Sequence, residues 1–176
     1  FKEPTWNNPV IRVVNSNGKD IVERLGRQWT ELGVSYSITN ALEETKKETP
    51  HYFKLYQEEL IGRSGEVKEA NLAMYCFWTG EKELAKVEGV LSTEPGYMNG
   101  HEVVKIEYNP YITNLETIVP VANRVNCADE VYVDEKIKVK VPVKKTGAYR
   151  KDRNDKYYLS RTPYKLIPMT NLQAAK

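Results

Sequence analysis

Apolar and polar residues alternate on both sides of Asn17-Gly18 in the stretch PVIRVVNSNGKDIVERL, residues 9–25. Asn-Gly favours the left-handed backbone of a tight turn, so this stretch predicts a β-hairpin. From Ile38 to Lys47 and from His51 to Ile61 the apolar positions, among them Tyr52, Phe53, Leu55, Tyr56 and Leu60, fall at helical spacing. With Pro50 between the two segments, they predict a helical hairpin. Gly62, Ser64 and Gly65 break the pattern, and ANLAMYCFW then reads as a buried strand running into a helix at TGEKELAKVE. GVLSTEPGYMNG and HEVVKIEYNP read as two strands joined by a Gly/Asn turn. TNLETIVPVANRV reads as a helix with Thr113 as N-cap, kinked or shortened by Pro120. EVYV and KIKVKVPV alternate as strands, a polar loop runs to Asp155, and TNLQAAK forms a last short helix. Strands and helices in this order predict an α+β two-layer sandwich, a mixed sheet with flanking helices.

Length and charge narrow the class. A chain of 176 residues buries a core without staples and reads as one domain. Within it, residues 1–66 form the hairpin and helical extension and residues 67–176 the core. The 26 basic and 24 acidic residues are interspersed, so nothing calls for nucleic acid. No apolar run approaches the roughly 20 residues of a membrane span, so a soluble protein is expected. A chain that starts at Phe1 reads as processed or trimmed, which leaves both export behind a removed signal and a cytoplasmic location open. Cys76 and Cys127 are too few for a disulfide framework and enough for one redox pair. Neither the two histidines, His51 and His101, nor any glycine-rich loop makes a convincing metal or phosphate site, so no cofactor is expected.

Cys76 falls at the strand-to-helix junction. There the first helical N–H groups and the positive end of the helix dipole stabilise a thiolate, the form that acts as a nucleophile. A free cysteine is also among the most buried residue types, so packing competes with chemistry at this position. Phe77 and Trp78 offer an apolar cage for a methyl or thioether group if exposed, and core packing if not. Glu102 starts an apolar strand after the Gly96-Tyr97-Met98-Asn99-Gly100 turn. It is either a partly desolvated acid holding a proton for donation or a strand-end glutamate facing water. His101 reads as a turn residue.

Taken in order, CFWTGEKELAKVEGVLSTEPGYMNG followed by HEVVKIEYNP resembles the peptide methionine sulfoxide reductases of the A type. That family carries GCFWGxE, then GVxSTxxGYxGG, then HAEVVxVxYDP, and the likeness covers Cys76 to Pro110. The resemblance implies a ferredoxin-like core and reduction of methionine sulfoxide, free or in peptides, through a cysteine sulfenic acid. It places Cys76 at the nucleophile and Phe77 and Trp78 at the pocket for the S-methyl group. Glu102 stands at the acid that protonates the sulfoxide oxygen, and Tyr97 at a tyrosine that hydrogen-bonds that oxygen. A shorter echo of the family's DRGTQYRS in DRNDKYYLS places Asp152 at the site aspartate and Tyr157 at the second oxygen-binding tyrosine. A sulfenic acid must then be resolved by a thiol, either Cys127 within the chain or an external reductant, a thioredoxin-like protein or a small thiol. The bland reading of Cys127 is a packed residue at a helix end.

The chain also departs from the family pattern. Met74-Tyr75 replaces the two glycines before the cysteine, which is expected to crowd the approach to the sulfur. The family's loop between the tyrosine turn and the glutamate is largely missing, and the C-terminal resolving cysteines of many members are absent. Residues 1–70 have no counterpart in the minimal family domain. Two other functions therefore compete: a catalytically altered or inactive reductase-like domain that serves as a binding module, and a thiol–disulfide protein. The last requires the Cα atoms of Cys76 and Cys127 to approach within about 7 Å.

Overall fold

In the computed structural model, residues 10–27, 29–154 and 156–176 are described. They fall into two compact units, the first ending at Ile61 and the second running from Gly62 to Lys176.

In the first unit the hairpin is reduced to two isolated antiparallel bridges, Ile11 with Leu25 and Val14 with Asp20. Its predicted start, Pro9, lies outside the described residues. Backbone bonds still cross it, Leu25 N–H to Ile11 O at 3.0 Å and Ile21 N–H to Val13 O at 2.9 Å, and side chains add to them. Asn15 Oδ1 accepts the N–H groups of Asn17 and Lys19 at 2.9 and 3.0 Å, and Gly18 turns the chain at φ +75°. Asp20 holds Arg12 at 2.6 Å and Arg24 at 2.8 Å. Helix α1 (Glu31–Glu44) starts earlier than its apolar pattern suggests because Thr30 caps it, accepting the Gly33 N–H at 3.0 Å. It ends before Lys47, where Lys46 turns into the left-handed region at φ 55°. Helix α2 (His51–Arg63) follows Pro50, and Gln57 reaches across to Ser35 and Thr39 of α1.

The second unit is built on six strands: β1 (Lys68–Ala73), β2 (Val90–Met98), β3 (His101–Tyr108), β4 (Glu130–Tyr132), β5 (Val143–Lys144) and β6 (Tyr149–Lys151). Helix α3 (Phe77–Ala85) links β1 to β2, and α4 (Leu115–Arg124) links β3 to β4. The sheet order is β5-β4-β1-β3-β2-β6, with every pairing antiparallel except β4 with β5. Within it the succession β1-α3-β2-β3-α4-β4, ordered 4-1-3-2, is the ferredoxin-like split βαβ arrangement. Both helices cover one face, where Leu72, Val104, Ile106 and Val131 meet Phe77 and Leu84 of α3 and Ile118, Val119 and Ala122 of α4. Ala73, Met98, Val103 and Tyr132 cluster on the other face.

Several boundaries differ from the sequence pattern for local reasons. The first strand stops at Ala73, so Met74 to Cys76 form the turn into α3. The N-cap of α4 is Asn114, whose Oδ1 accepts the Thr117 N–H at 2.9 Å, and not Thr113, which is buried one residue earlier. The same helix runs past Pro120 to Arg124, because the face formed by Leu115, Ile118, Val119 and Ala122 is buried while Pro120 itself faces out. KIKVKVPV contributes only Val143 to a ladder. A parallel partner for β4 must start from β4's own beginning, so the intervening residues are used in the return. Ile137, Val139 and Val141 still pack on the core, which accounts for their alternation. The stretch to Asp155 read as a polar loop contains β6, the short helix α5 (Tyr157–Ser160) follows it, and α6 (Asn171–Ala175) ends the chain under a Thr170–Gln173 capping box.

Strand β6 is held to β2 on the face away from the helices. Gly96 leaves room for the Tyr149 ring, which a Cβ would meet at 2.5 Å. The Tyr149 hydroxyl donates towards Pro95 O at 3.0 Å and Glu94 Oε1 at 3.1 Å, and Lys151 pairs with Glu94. Burial raises the Glu94 pKa, but Lys151, Tyr149 and Asn171 outweigh it and hold the carboxyl below its usual 4.5. A depressed acid stabilises the fold above its unfolded pKa and loses that contribution as pH falls through the folded value. Glu94→Gln is therefore expected to unfold at lower urea than wild type at neutral pH, with the gap closing below the usual carboxyl value of 4.5. An equal gap under both conditions would exclude this ion-pair contribution.

Candidate active site

Helix α3 begins where β1 ends, and Cys76 is its N-cap. The backbone at this junction divides its donors in a way that spacing does not reveal. The first helical N–H, that of Phe77, goes to Glu102 Oε2 at 3.3 Å and not to the sulfur. Cys76 Sγ receives a different donor, the Thr79 hydroxyl at 3.4 Å. Glu102 is thus fixed one peptide unit from the cysteine. Its own strand is tied down at the same place, since the Met74 N–H donates to Glu102 O at 3.1 Å. Partial burial of Glu102 follows from this placement, because the carboxyl sits between the sheet and the start of α3.

Cross-strand register supplies the rest. Tyr97 lies opposite Glu102 in the β2–β3 pair and opposite Arg150 in the β2–β6 pair, so all three side chains share the helix-covered face. The turn between β2 and β3 is only Asn99-Gly100, both with positive φ (53° and 83°), the backbone of a two-residue hairpin. His101 starts β3 at that turn and is exposed.

An aromatic row runs along this face. The Phe77 ring lies 5.5 Å from Tyr97 and 5.4 Å from Trp78, and Trp78 lies 5.4 Å from Tyr157. Phe77 is buried, Trp78 half-buried and Tyr157 exposed, so the row passes from core to surface. Tyr75 does not crowd the sulfur as its bulk suggested: its ring turns outward and is 91% exposed, while Cys76 keeps partial exposure. Met74 is buried instead, and its sulfur fills the space over Gly80 that a Cβ would otherwise claim.

Beside Tyr97 opens a cleft of about 410 Å³ lined by Tyr97, Arg150, Lys151, Asp152, Arg153 and Asn154. Asp152 is buried in it. Its Oδ1 accepts the Asn154 side-chain N–H at 2.7 Å, while Oδ2 has no partner among the described residues. Cys127 is buried at the end of α4. Burial pushes its thiol upward, and the neighbouring Cys76 sulfur adds to the effect.

The structure therefore brings Cys76, Glu102, Tyr97, Phe77 and Trp78 together, sets Tyr157 on Trp78, and places Asp152 in the cleft that Tyr97 lines. Sequence reasoning missed three contributors. Thr79 carries a weak signal, a hydroxyl three residues after the N-cap. Arg150 carries none, being fixed by strand pairing. Glu81 is wholly buried, pairs with Lys156 and accepts the Tyr158 hydroxyl at 2.7 Å. Its signal was the glutamate of the family motif five residues after the cysteine.

Residues 68–114 match the family model described as peptide methionine sulfoxide reductase. Peptide methionine sulfoxide reductase MsrA 1 of Nostoc sp. is 35% identical over 72 residues, covering 31% of this chain and 44% of the relative. Peptide methionine sulfoxide reductase MsrA of Methanococcus maripaludis is 34% identical over 67 residues, covering 28% of this chain and 43% of the relative. The chain thus spans less than half the length of either curated relative. Through this central segment, the chain is related to the peptide methionine sulfoxide reductases of the A type.

Proposed function

We propose that this protein reduces methionine sulfoxide, free or in peptides, through Cys76. The observation that carries the reading is the hydrogen bond from Phe77 N–H to Glu102 Oε2, which holds a carboxyl group one peptide unit from a partly exposed cysteine at a helix N-cap. A sulfoxide oxygen leaves poorly until it is protonated, so a thiol needs an acid beside it. Glu102 supplies that proton, and the Tyr97 hydroxyl donates to the same oxygen as charge shifts onto it. Phe77 and Trp78 hold the S-methyl group dry. Tyr157, packed on Trp78, supplies a second hydroxyl, and Oδ2 of Asp152 accepts a donor from the substrate.

The chemistry balances as one thiol and one sulfoxide giving one sulfenic acid and one thioether. The sulfur of Cys76 is oxidised and takes the oxygen; the substrate sulfur is reduced. A thioredoxin-like protein or small thiol then returns the sulfenic acid to the thiol with release of water and formation of a disulfide. Cys127 is the candidate resolving thiol within the chain. Its burial and raised pKa mean that the end of α4 must open before it attacks.

The test is a single turnover without reductant. Adding a methyl sulfoxide to the reduced protein is expected to give one equivalent of thioether and a dimedone adduct on Cys76, read by peptide mass spectrometry. No thioether, or thioether with Cys76 neither labelled nor joined to Cys127 in a disulfide, rules the reading out.

A further inference from the structure

The cleft beside Tyr97 has a charge pattern that sulfoxide chemistry does not use. Arg150 faces the Tyr97 ring, its guanidinium carbon 4.4 Å from the centroid, so a cation–π contact holds it at the rim. Arg153 lines the same cleft, and both arginines are exposed. The third cation there, Lys151, is already paired with Glu94. Among the described residues no carboxylate pairs with Arg150 or Arg153. Asp152 is the acid lining the cleft, and it is buried with Oδ1 occupied by Asn154. Two guanidinium groups, with donors arranged for carboxylates, therefore face solvent beside the tyrosine placed at the sulfoxide oxygen.

We propose that this cleft recognises a peptide carboxylate close to the sulfoxide, so that the protein prefers methionine sulfoxide flanked by acidic residues. The inference rests on the proposed reductase reading for the position of the sulfoxide, and it deepens that reading by naming the substrate class. Exposed charge pairs are individually weak and screened by salt, so the preference is modest and ionic-strength dependent.

The test measures binding apart from chemistry. Fluorescein-labelled peptides with one methionine sulfoxide flanked by Glu, Gln or Lys are titrated with the Cys76→Ser protein and read by anisotropy. The Glu-flanked peptide is expected to bind about fivefold more tightly than the Gln-flanked one, and the Lys-flanked peptide more weakly. The acidic preference is expected to vanish in an Arg150→Gln/Arg153→Gln background and to shrink in about 0.5 M salt, with the Gln-flanked peptide little affected. Equal binding of the three peptides, a preference that survives the double substitution, or no binding at all overturns the proposal. Wild-type turnover of the same peptides separates the two claims. Reduction without acidic preference in binding defeats the cleft assignment alone, whereas acidic preference without reduction by the wild type supports the cleft and defeats the reductase reading.

Discussion

Glu102→Gln is expected to lower turnover of a methyl sulfoxide by roughly 10²- to 10⁴-fold, and Cys76→Ser to leave no turnover. Glutamine keeps an oxygen to accept the Phe77 N–H, which lies 3.3 Å from Glu102 Oε2, so the junction between β1 and α3 is preserved. What it removes is the proton. A loss of this size corresponds to about 3–5 kcal/mol of transition-state stabilisation. Thioether production with excess dithiothreitol gives the rates, and urea unfolding checks that the fold is intact. Activity of Glu102→Gln within about threefold of wild type, at unchanged stability, would sink the assignment of Glu102 as the acid.

The second large effect concerns stability. Glu81 is fully buried in α3 and pairs with Lys156, whose side chain is 21% exposed, while the Tyr158 hydroxyl donates to Glu81 Oε2 at 2.7 Å. Burial pulls the Lys156 ammonium down to about 8, so its charge persists at neutral pH only against a desolvation penalty. Lys156→Met leaves the Glu81 carboxylate buried with one hydroxyl donor, and is expected to cost about 3–5 kcal/mol. Glu81→Leu combined with Lys156→Met replaces the pair by apolar groups and is expected to recover most of that loss. Equilibrium urea unfolding of wild type, both single variants and the double variant completes the cycle. Strict additivity, or a cost below about 1 kcal/mol for Lys156→Met, would show that the pair is not coupled in this way. Because Tyr157 adjoins Lys156 and packs on Trp78, the single variant is also expected to loosen one wall of the site.

Much of the site was legible because its central parts are local. Cys76, Phe77 and Trp78 are consecutive, and the hydrophobic pattern placed them at a strand-to-helix junction. Glu102 was legible as the start of a strand after a turn. The antiparallel neighbours β2 and β3 could be read in sequence because a two-residue turn sets them side by side. The helix start at Asn114, the continuation past Pro120 and the reduction of the hairpin to isolated bridges were not legible, since each depends on which face is buried or which side chain captures a backbone donor.

The sequence by itself determined the alternation of strands and helices, the junction that carries Cys76, and the order of Cys76, Phe77, Trp78, Tyr97 and Glu102 along the chain. These depend on periodicity and short-range spacing, which the chain carries locally. Only the tertiary structure decided which donors reach which acceptors: the Phe77 amide to Glu102, the Thr79 hydroxyl to the sulfur, and Tyr75 out into solvent. Arg150 beside Tyr97 and Lys156 beside Glu81 were likewise decided there. The reason is separation along the chain. Lys156 and Glu81 lie 75 residues apart, and β6 has only three residues. No periodicity survives in so short a strand, so its partners are fixed by pairing with β2 and by burial.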